Sequence, residues 1–194
     1  MLTLCILPIS YCLLSLLLVN RLQLIQELCS YQTSYSEEKE FVISFLDLLK
    51  SEDAFQRTHL PGHITGSSWI VNSDKTKVLL VHHAKLNRWL QPGGHADGDE
   101  NVLRVALREA EEETGITRLT VLSDQIFDLD IHTIPTRKDF PEHLHFDIRF
   151  LIQANEADPL VVSEESHDVK WISLEELEKY NDETSILRLK QKLL

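Results

Sequence analysis

The sequence has little cysteine, glycine or proline, and each shortage excludes a class of protein. Only three cysteines occur in 194 residues and all lie within the first 30, so the rest of the chain has neither a disulfide framework nor a cysteine nucleophile. Six glycines and six prolines are too few for a collagen-like or low-complexity chain. With 43% hydrophobic and 26% charged residues, the composition is typical of one globular domain with an appended segment.

Basic residues are also scarce. Nineteen Lys and Arg against 31 Asp and Glu give a net charge of −12, which argues against a protein that binds a nucleic-acid polymer. A small phosphorylated molecule is not excluded, because carboxylates can hold a divalent cation that then faces the phosphate. The net charge therefore leaves a phosphorylated small molecule open as the partner.

The first 19 residues contain no charged side chain, which resembles a membrane anchor or a signal peptide. No basic residue precedes the apolar stretch, no small-residue cleavage pattern follows it, and Pro8 interrupts it, so neither interpretation fits well. Two other interpretations remain. The segment is a helix packed on its own domain or on a second subunit, as in a homodimer, or it is an artefact of the assigned start site. We predict a cytoplasmic protein, with membrane attachment through residues 1–19 as the alternative.

The remaining pattern predicts an N-terminal helical extension over residues 1–54 and one main domain over residues 55–194. Helical spacing continues through residues 21–29 and 35–50, and then the pattern changes to strands. We expect strands near 63–72, 77–83, 119–133, 143–153 and 168–172, and helices at 100–114, 174–180 and 183–193. This order, without regular βαβ alternation, predicts an α/β fold with a mixed sheet and helices packed against it.

Several helix ends carry their own signals. Capping boxes at Ser34 with Glu37 and at Ser173 with Glu176 predict two helix starts. Asp99 is the predicted N-cap of the helix at 100–114, and Gly115 is expected just past its end.

The helix at 100–114 carries an acidic cluster. At 100° per residue, Glu109, Glu112 and Glu113 lie within one arc of the helix surface. Most glutamate runs on helices are simply solvated. Three carboxylates on one arc repel one another unless a cation lies between them, and hard oxygen ligands suit Mg²⁺ or Mn²⁺. The surrounding spacing must decide between these interpretations.

That spacing matches every position of the Nudix box, G-x5-E-x7-R-E-U-x-E-E-x-G-U, in which U is aliphatic. The matching residues are Gly94, Glu100, Arg108, Glu109, Ala110, Glu112, Glu113, Gly115 and Ile116. The chain resembles a Nudix hydrolase over roughly residues 60 to 180, and is most similar to uncharacterised bacterial members with a Trp-Leu-Gln-x-Gly-Gly-His segment.

The resemblance implies an α/β/α sandwich and a divalent-metal-dependent hydrolysis of a nucleoside diphosphate linked to another group, by water attack on phosphorus. It implies that Glu109, Glu112 and Glu113 bind Mg²⁺ or Mn²⁺, and that Arg108 and Glu100 form a supporting ion pair. Glu112, Glu113 and Arg108 are the box residues expected to act in catalysis. Gly93 and Gly94 are expected to let the backbone approach the metal and phosphates closely.

A further carboxylate is expected from the loop before the last strand. Glu165, six residues before Trp171, is the predicted catalytic base or extra ligand, and Glu164 competes with it. The resemblance does not decide between the two.

Histidine is unusually frequent, with nine residues. His143, His145 and Asp147 alternate along one predicted strand and so face one side of it. They either line the pocket, with His145 as a phosphate contact, or form a structural polar network. His95, which directly follows Gly94, is the best single candidate for a phosphate contact.

Three other functions remain as alternatives. An isopentenyl-diphosphate-isomerase-like enzyme would be expected to need a cysteine, which the chain lacks after Cys29. A non-catalytic nucleotide sensor would be expected to have lost box glutamates, and all are present. A membrane-attached acidic interaction protein would leave the box unexplained. The substrate stays open, because the sequence signatures of the ADP-ribose, diadenosine polyphosphate and coenzyme A subfamilies are missing.

Overall fold

The computed structural model describes residues 21–137 and 140–193, so the apolar segment at 1–19 lies outside the described residues. The helices are α1 (Arg21–Ser30), α2 (Ser36–Leu48), α3 (Val102–Thr114) and α4 (Thr184–Gln191), with a 3₁₀ turn at Leu177–Lys179. The strands are β1 (Gly62–Val71), β2 (Lys77–His83), β3 (Arg88–Leu90), β4 (Gly93–His95), β5 (Thr120–Val121), β6 (Asp128–Ile134), β7 (His143–Gln153) and β8 (Ser166–Ser173).

All eight strands join one mixed sheet built around β1. The strand order is β3-β2-β1-β7-β5, while β4 pairs with β1, β6 with β7 and β8 with β2. Strands β1 and β7 are parallel and pair from Gly62 with Leu144 to Val71 with Gln153. Every residue of β1 is buried, as expected for a central strand covered on both faces.

Alternate strand residues serve two hydrophobic cores on opposite faces of the sheet. Ile70 and Leu79 belong to the core that also contains residues of α1, α2 and α3. Trp69 and Leu80 belong to the core shared with the 3₁₀ turn and α4. This arrangement is an α/β/α sandwich, which confirms the predicted fold class with N-terminal helices added to it.

The N-terminal helices share the core of the sheet. Leu28 of α1 and Phe45 of α2 are fully buried, and the edge of the Phe45 ring meets Phe146 of β7 at a centroid distance of 5.2 Å. Residues 21–54 therefore pack as part of the main body. The division at residues 54 and 55 stays a prediction.

A buried ion network fastens α4 to the sheet edge. Arg188 donates to Asp128 of β6 at 2.8 Å and to the carbonyl of Leu129 at 2.7 Å. Nearby, Lys192 donates to the buried Glu38 of α2 at 2.5 Å. Because these charges are paired and hydrogen-bonded, they can lie in the interior.

The sequence-based helix starts were wrong at two places. Helix α2 begins after Tyr35 without a side-chain cap, and Glu37 binds Arg188 at 2.5 Å instead of closing a box with Ser34. Helix α3 is capped by Asn101, whose side chain accepts from the N–H of Arg104 at 3.0 Å, and not by Asp99.

Two predicted elements are shorter than expected. The strand at 119–133 is split into β5 and β6, because Ser123 Oγ accepts from the N–H of Gln125 and the chain turns there. The helix at 174–180 is only the 3₁₀ turn, and Ser173 Oγ accepts from the N–H of Glu175, with no capping box. Gly115 adopts the predicted left-handed conformation, with φ of 75°.

Within residues 21–137 and 140–193, none of the helices combines the length and the apolar composition needed to cross a membrane.

Candidate active site

Helix α3 lies close against β1, and this contact positions the acidic cluster. A Cβ at Gly66 would come within 2.8 Å of the carbonyl oxygen of Val102, so only glycine allows the approach. Ser68 of β1 donates to the carbonyl of Ala106 at 2.8 Å. The apolar side of α3, with Ala106 and Ala110 fully buried, faces the sheet. The glutamates are left on the side of the helix that meets β4.

Strand β4 brings its backbone against two of these glutamates. The N–H of Gly93 donates to Glu113 Oε2 at 3.0 Å. A Cβ at Gly94 would lie 2.5 Å from the carboxylate of Glu109. The structure therefore brings the predicted glycine pair and the predicted ligands together, and it leaves no room for a side chain at Gly94.

Arg108 joins the glutamates to β4. Its Nη1 lies 2.6 Å from Glu109 Oε1 and 3.4 Å from Glu112 Oε2, and its Nη2 donates to the carbonyl of His95 at 3.0 Å. The predicted ion pair with Glu100 was wrong, because Glu100 accepts from the side chain and backbone N–H of Arg21 at 3.1 Å. Glu100 thus fastens α1 to the loop that precedes α3.

Burial and mutual repulsion make the cluster favourable for a cation. Burial raises the pKa of Glu113 to about 7, against the hydrogen bond from Gly93, and the charges of Glu109, Glu165 and Glu112 raise it further. Burial also raises the pKa of Glu109, although the positive charge of Arg108 lowers it in part. The ionised forms of Glu109 and Glu113 are therefore disfavoured without a cation, and Glu112 adds a third, exposed carboxylate. Carboxylates are the hard oxygen donors that Mg²⁺ or Mn²⁺ prefers. The residues present fit a divalent metal.

Of the two loop carboxylates, the structure places Glu165 where its charge acts on the cluster. Its carbonyl accepts from the N–H of Ala84 at 2.8 Å, which fixes the loop at the end of β2. Its side chain is 62% exposed, with Oε1 3.6 Å from Lys85 Nζ, and its charge contributes to the raised pKa of Glu113. Glu164 is exposed beside it.

One basic group near the cluster was missed by sequence reasoning. Arg57 forms a bidentate pair with Asp97, 40 residues away. That bond raises the pKa of Arg57, and the charges of Glu109 and Glu165 raise it further. Arg57 follows α2 in a segment without regular structure, so no periodicity or motif could have signalled its position.

The predicted histidines lie on the other face of β4 from Glu109. The Gly94 position faces Glu109, whereas Gly93 faces Ser67, and the ring of His95 meets those of His63 and His145 at 5.2 and 4.9 Å. Burial, more than any neighbouring charge, lowers the pKa of His95 to about 4 and that of His145 to about 2. Both imidazoles are uncharged near neutral pH.

Asp147 belongs to a buried polar network. Its carboxylate accepts from Ser67 Oγ at 2.7 Å, Thr65 Oγ1 at 3.0 Å, Arg149 Nε at 2.8 Å and Gln91 Nε2 at 3.2 Å. For Asp147, these contacts agree with the structural polar network that was one of the two interpretations of this strand. His143 and His145 share the face, with rings 5.2 Å apart.

Comparisons with known proteins agree with this geometry. The family model of the NUDIX domain matches residues 62–192. A probable DHNTP pyrophosphohydrolase of Lactococcus lactis subsp. cremoris (strain MG1363) is 27% identical over 123 residues, which are 62% of this chain and 73% of the relative. The m7GpppN-mRNA hydrolase NUDT17 of Xenopus laevis is 32% identical over 121 residues, which are 56% of this chain and 40% of the relative. The chain thus spans less than half of the Xenopus protein.

Among solved structures, a NUDIX family hydrolase from Clostridium perfringens is similar, with 28% identity and a TM-score of 0.51 over 68% of this chain and 95% of the other. The chain belongs to the Nudix domain family. The predicted enzyme class, a Nudix pyrophosphohydrolase acting on phosphoanhydride bonds, is confirmed at the level of that family.

Proposed function

We propose that this Nudix protein hydrolyses a diphosphate linkage in a nucleoside diphosphate linked to another group, with Glu109, Glu112 and Glu113 holding Mg²⁺ or Mn²⁺. The observation that carries the proposal is the convergence of Glu113 and Glu109 on the backbone of Gly93 and Gly94, with Arg108 linking Glu109 to Glu112. When bound, the cation supplies charge neutralisation of the diphosphate and a water of lowered pKa.

The residues of the chain have separate tasks in this proposal. Arg108 holds Glu109 and Glu112 in place and ties them to β4 through the carbonyl of His95. The N–H of Gly93 donates to Glu113, which orients the carboxylate and opposes the rise of its pKa caused by burial. Glu165, which is exposed and whose charge contributes to the raised pKa of Glu113, is the group we assign to accept a proton from the attacking water.

The nature of the substrate follows from the relatives only as a class. The Lactococcus and Xenopus proteins are named for a pterin triphosphate and a capped RNA, so each acts on a ring system attached to a phosphate chain. We propose a small molecule of this kind for the present chain. Its own excess of acidic residues disfavours a polymer.

The test is a panel of purified substrates with Mg²⁺ and with Mn²⁺: nucleoside triphosphates, a dinucleoside tetraphosphate, ADP-ribose, dihydroneopterin triphosphate and a capped dinucleotide. We expect metal-dependent release of phosphate, pyrophosphate or a nucleoside monophosphate. Comparable activity in Glu112→Gln would contradict the assignment, and inactivity on the whole panel would favour a nucleotide-binding domain.

The loop carboxylate is tested by a matched pair of neighbours. Glu165→Gln should lower kcat about 100-fold or more, because a positioned general base contributes about 10² to 10⁴. Glu164→Gln is the control and should leave kcat within about twofold. If Glu165→Gln lowers kcat no more than Glu164→Gln does, Glu165 is not the catalytic base.

A further inference from the structure

Five imidazoles gather on one face of the sheet, and we call them the histidine cluster: His63, His95, His132, His143 and His145. Three of them come from adjacent strands, because β1 pairs with both β4 and β7. His63 lies directly opposite His145, and His95 lies opposite Thr65, two residues along the same face. The glutamate site as proposed above uses none of these five imidazole rings, although the backbone carbonyl of His95 accepts from Arg108.

The spacing of the three central imidazoles is close to that of metal ligands. One ring nitrogen of each of His63, His95 and His145 lies within 4.8 Å of the others. In a tetrahedral site with Zn–N bonds of about 2.0–2.1 Å, ligand nitrogens stand about 3.3 Å apart. The backbones of the three residues already lie in one paired sheet, so only the side chains would have to move to close the difference.

In two of these rings, the buried Nε2 atom makes no hydrogen bond within the described part of the chain. His63 is 1% exposed and its Nδ1 lies 3.3 Å from the carbonyl of His59, while its buried Nε2 has no hydrogen-bond partner within residues 21–137 and 140–193. The buried Nε2 of His145 also has no hydrogen-bond partner among the described residues. Leaving a buried polar atom unpaired destabilises the fold, so two unpaired nitrogens in one group of rings point to a ligand.

Several rings of the cluster are also held in the way that metal-binding histidines are held. Such rings donate one N–H to a carbonyl or carboxylate, which leaves the other nitrogen free to bind the metal. His63 meets the carbonyl of His59, His143 meets that of Pro141 at 2.9 Å, and His132 meets Asp130 at 3.0 Å. Of these three rings, only that of His63 belongs to the group whose nitrogens lie within 4.8 Å of one another.

We propose that His63, His95 and His145 bind one Zn²⁺ ion at a site separate from the glutamates. Imidazole nitrogens favour zinc, whereas the carboxylates of the box favour Mg²⁺ or Mn²⁺, so the two sites select different ions. The ring of His143 stacks on that of His63 at a centroid distance of 5.0 Å and lies outside this three-residue group.

The proposed zinc would hold the short strand that forms the active-site wall. Strand β4 has three residues, and its last one, His95, would be tied to β1 through His63 and to β7 through His145. Gly93 and Gly94, which contact the glutamates, would be fixed by the same link. We therefore assign the zinc a structural task.

The experiment uses the full chain, stripped with a chelator and titrated with Zn²⁺ by calorimetry in excess Mg²⁺, which saturates oxygen sites. We expect one equivalent of Zn²⁺ to bind. His63→Gln and His145→Gln should each weaken binding about 100-fold or more, whereas the control His167→Gln, at an exposed position of β8, should not change it.

Two further measurements keep the result decisive. X-ray absorption of the zinc-loaded wild type should show imidazole scattering from about three nitrogens at about 2.0–2.1 Å, even if a histidine variant fails to fold. Glu112→Gln should bind Zn²⁺ as well as the wild type does. An all-oxygen shell, no binding, or binding lost in Glu112→Gln and kept in His145→Gln would each overturn the proposal. None of these outcomes depends on whether a diphosphate substrate is found.

Discussion

The buried carboxylate of Glu113 should make the metal-free protein less stable as the pH rises, and Glu113→Gln should remove this effect. The folded pKa of about 7 lies above the unfolded value of 4.5. Below pH 4.5 both states are protonated and the burial costs nothing. As the pH rises from 4.5 to about 7, the unfolded state gains a favourable ionisation that the folded state resists, so the free energy of unfolding falls, and above that pH it levels off.

The size of the effect follows from the same two values. The interval between them corresponds to roughly 3 kcal/mol, at about 1.4 kcal/mol per pH unit. The amide introduced by Glu113→Gln keeps an oxygen that can accept from the N–H of Gly93, so the contact with β4 survives the substitution. The chelated variant should therefore exceed the wild type by up to about 3 kcal/mol at pH 8 and match it near pH 4.5.

Denaturant unfolding between pH 4.5 and 8, with a chelator present, measures this difference. Glu112→Gln is the matched control, since Glu112 is exposed and its removal should leave the pH profile almost parallel to that of the wild type. Addition of Mg²⁺ or Mn²⁺ at pH 8 should raise the stability of the wild type and have little effect on Glu113→Gln. Parallel pH profiles of the wild type and Glu113→Gln would refute the reasoning.

Three further substitutions test other contacts. Arg188→Met should cost about 3 kcal/mol in denaturant unfolding, because it leaves Asp128 buried with weaker partners, whereas the exposed pair broken by Arg104→Met should cost under about 1 kcal/mol. Similar losses in the two variants would contradict this account. Gly94→Ala should weaken Mg²⁺ binding about tenfold or more, because its Cβ would displace the Glu109 carboxylate. Thermal midpoints across a metal titration measure this, and an unchanged metal dependence would show that Glu109 is free to move.

The acidic half of the site could be predicted from the sequence because it is local. Glu109 and Glu113 stand on one helix, whose period fixes their common side, and Gly94 precedes that helix by a short loop. The spacing of the box therefore carries three-dimensional information directly. The Arg108–Glu100 pair was mispredicted for the complementary reason, since the partner of Glu100 is Arg21, 79 residues away.

The histidine cluster could be predicted only in part. Alternation along one strand placed His143 and His145 on one face, but it could not place His63 beside them. That contact depends on the parallel pairing of β1 with β7, which brings together residues 82 apart in the chain. No local pattern encodes which strands are neighbours, so the three-strand site emerged only from the fold.

The alternation of β4 has a consequence for how this segment can change during evolution. Gly94 faces Glu109, and His95 faces the opposite side of the sheet. Inserting or deleting one residue here would turn the imidazole toward the glutamates and move glycine among the histidines. Point substitutions can damage either site separately. A change of length by one residue would alter the glutamate site and the histidine cluster at once.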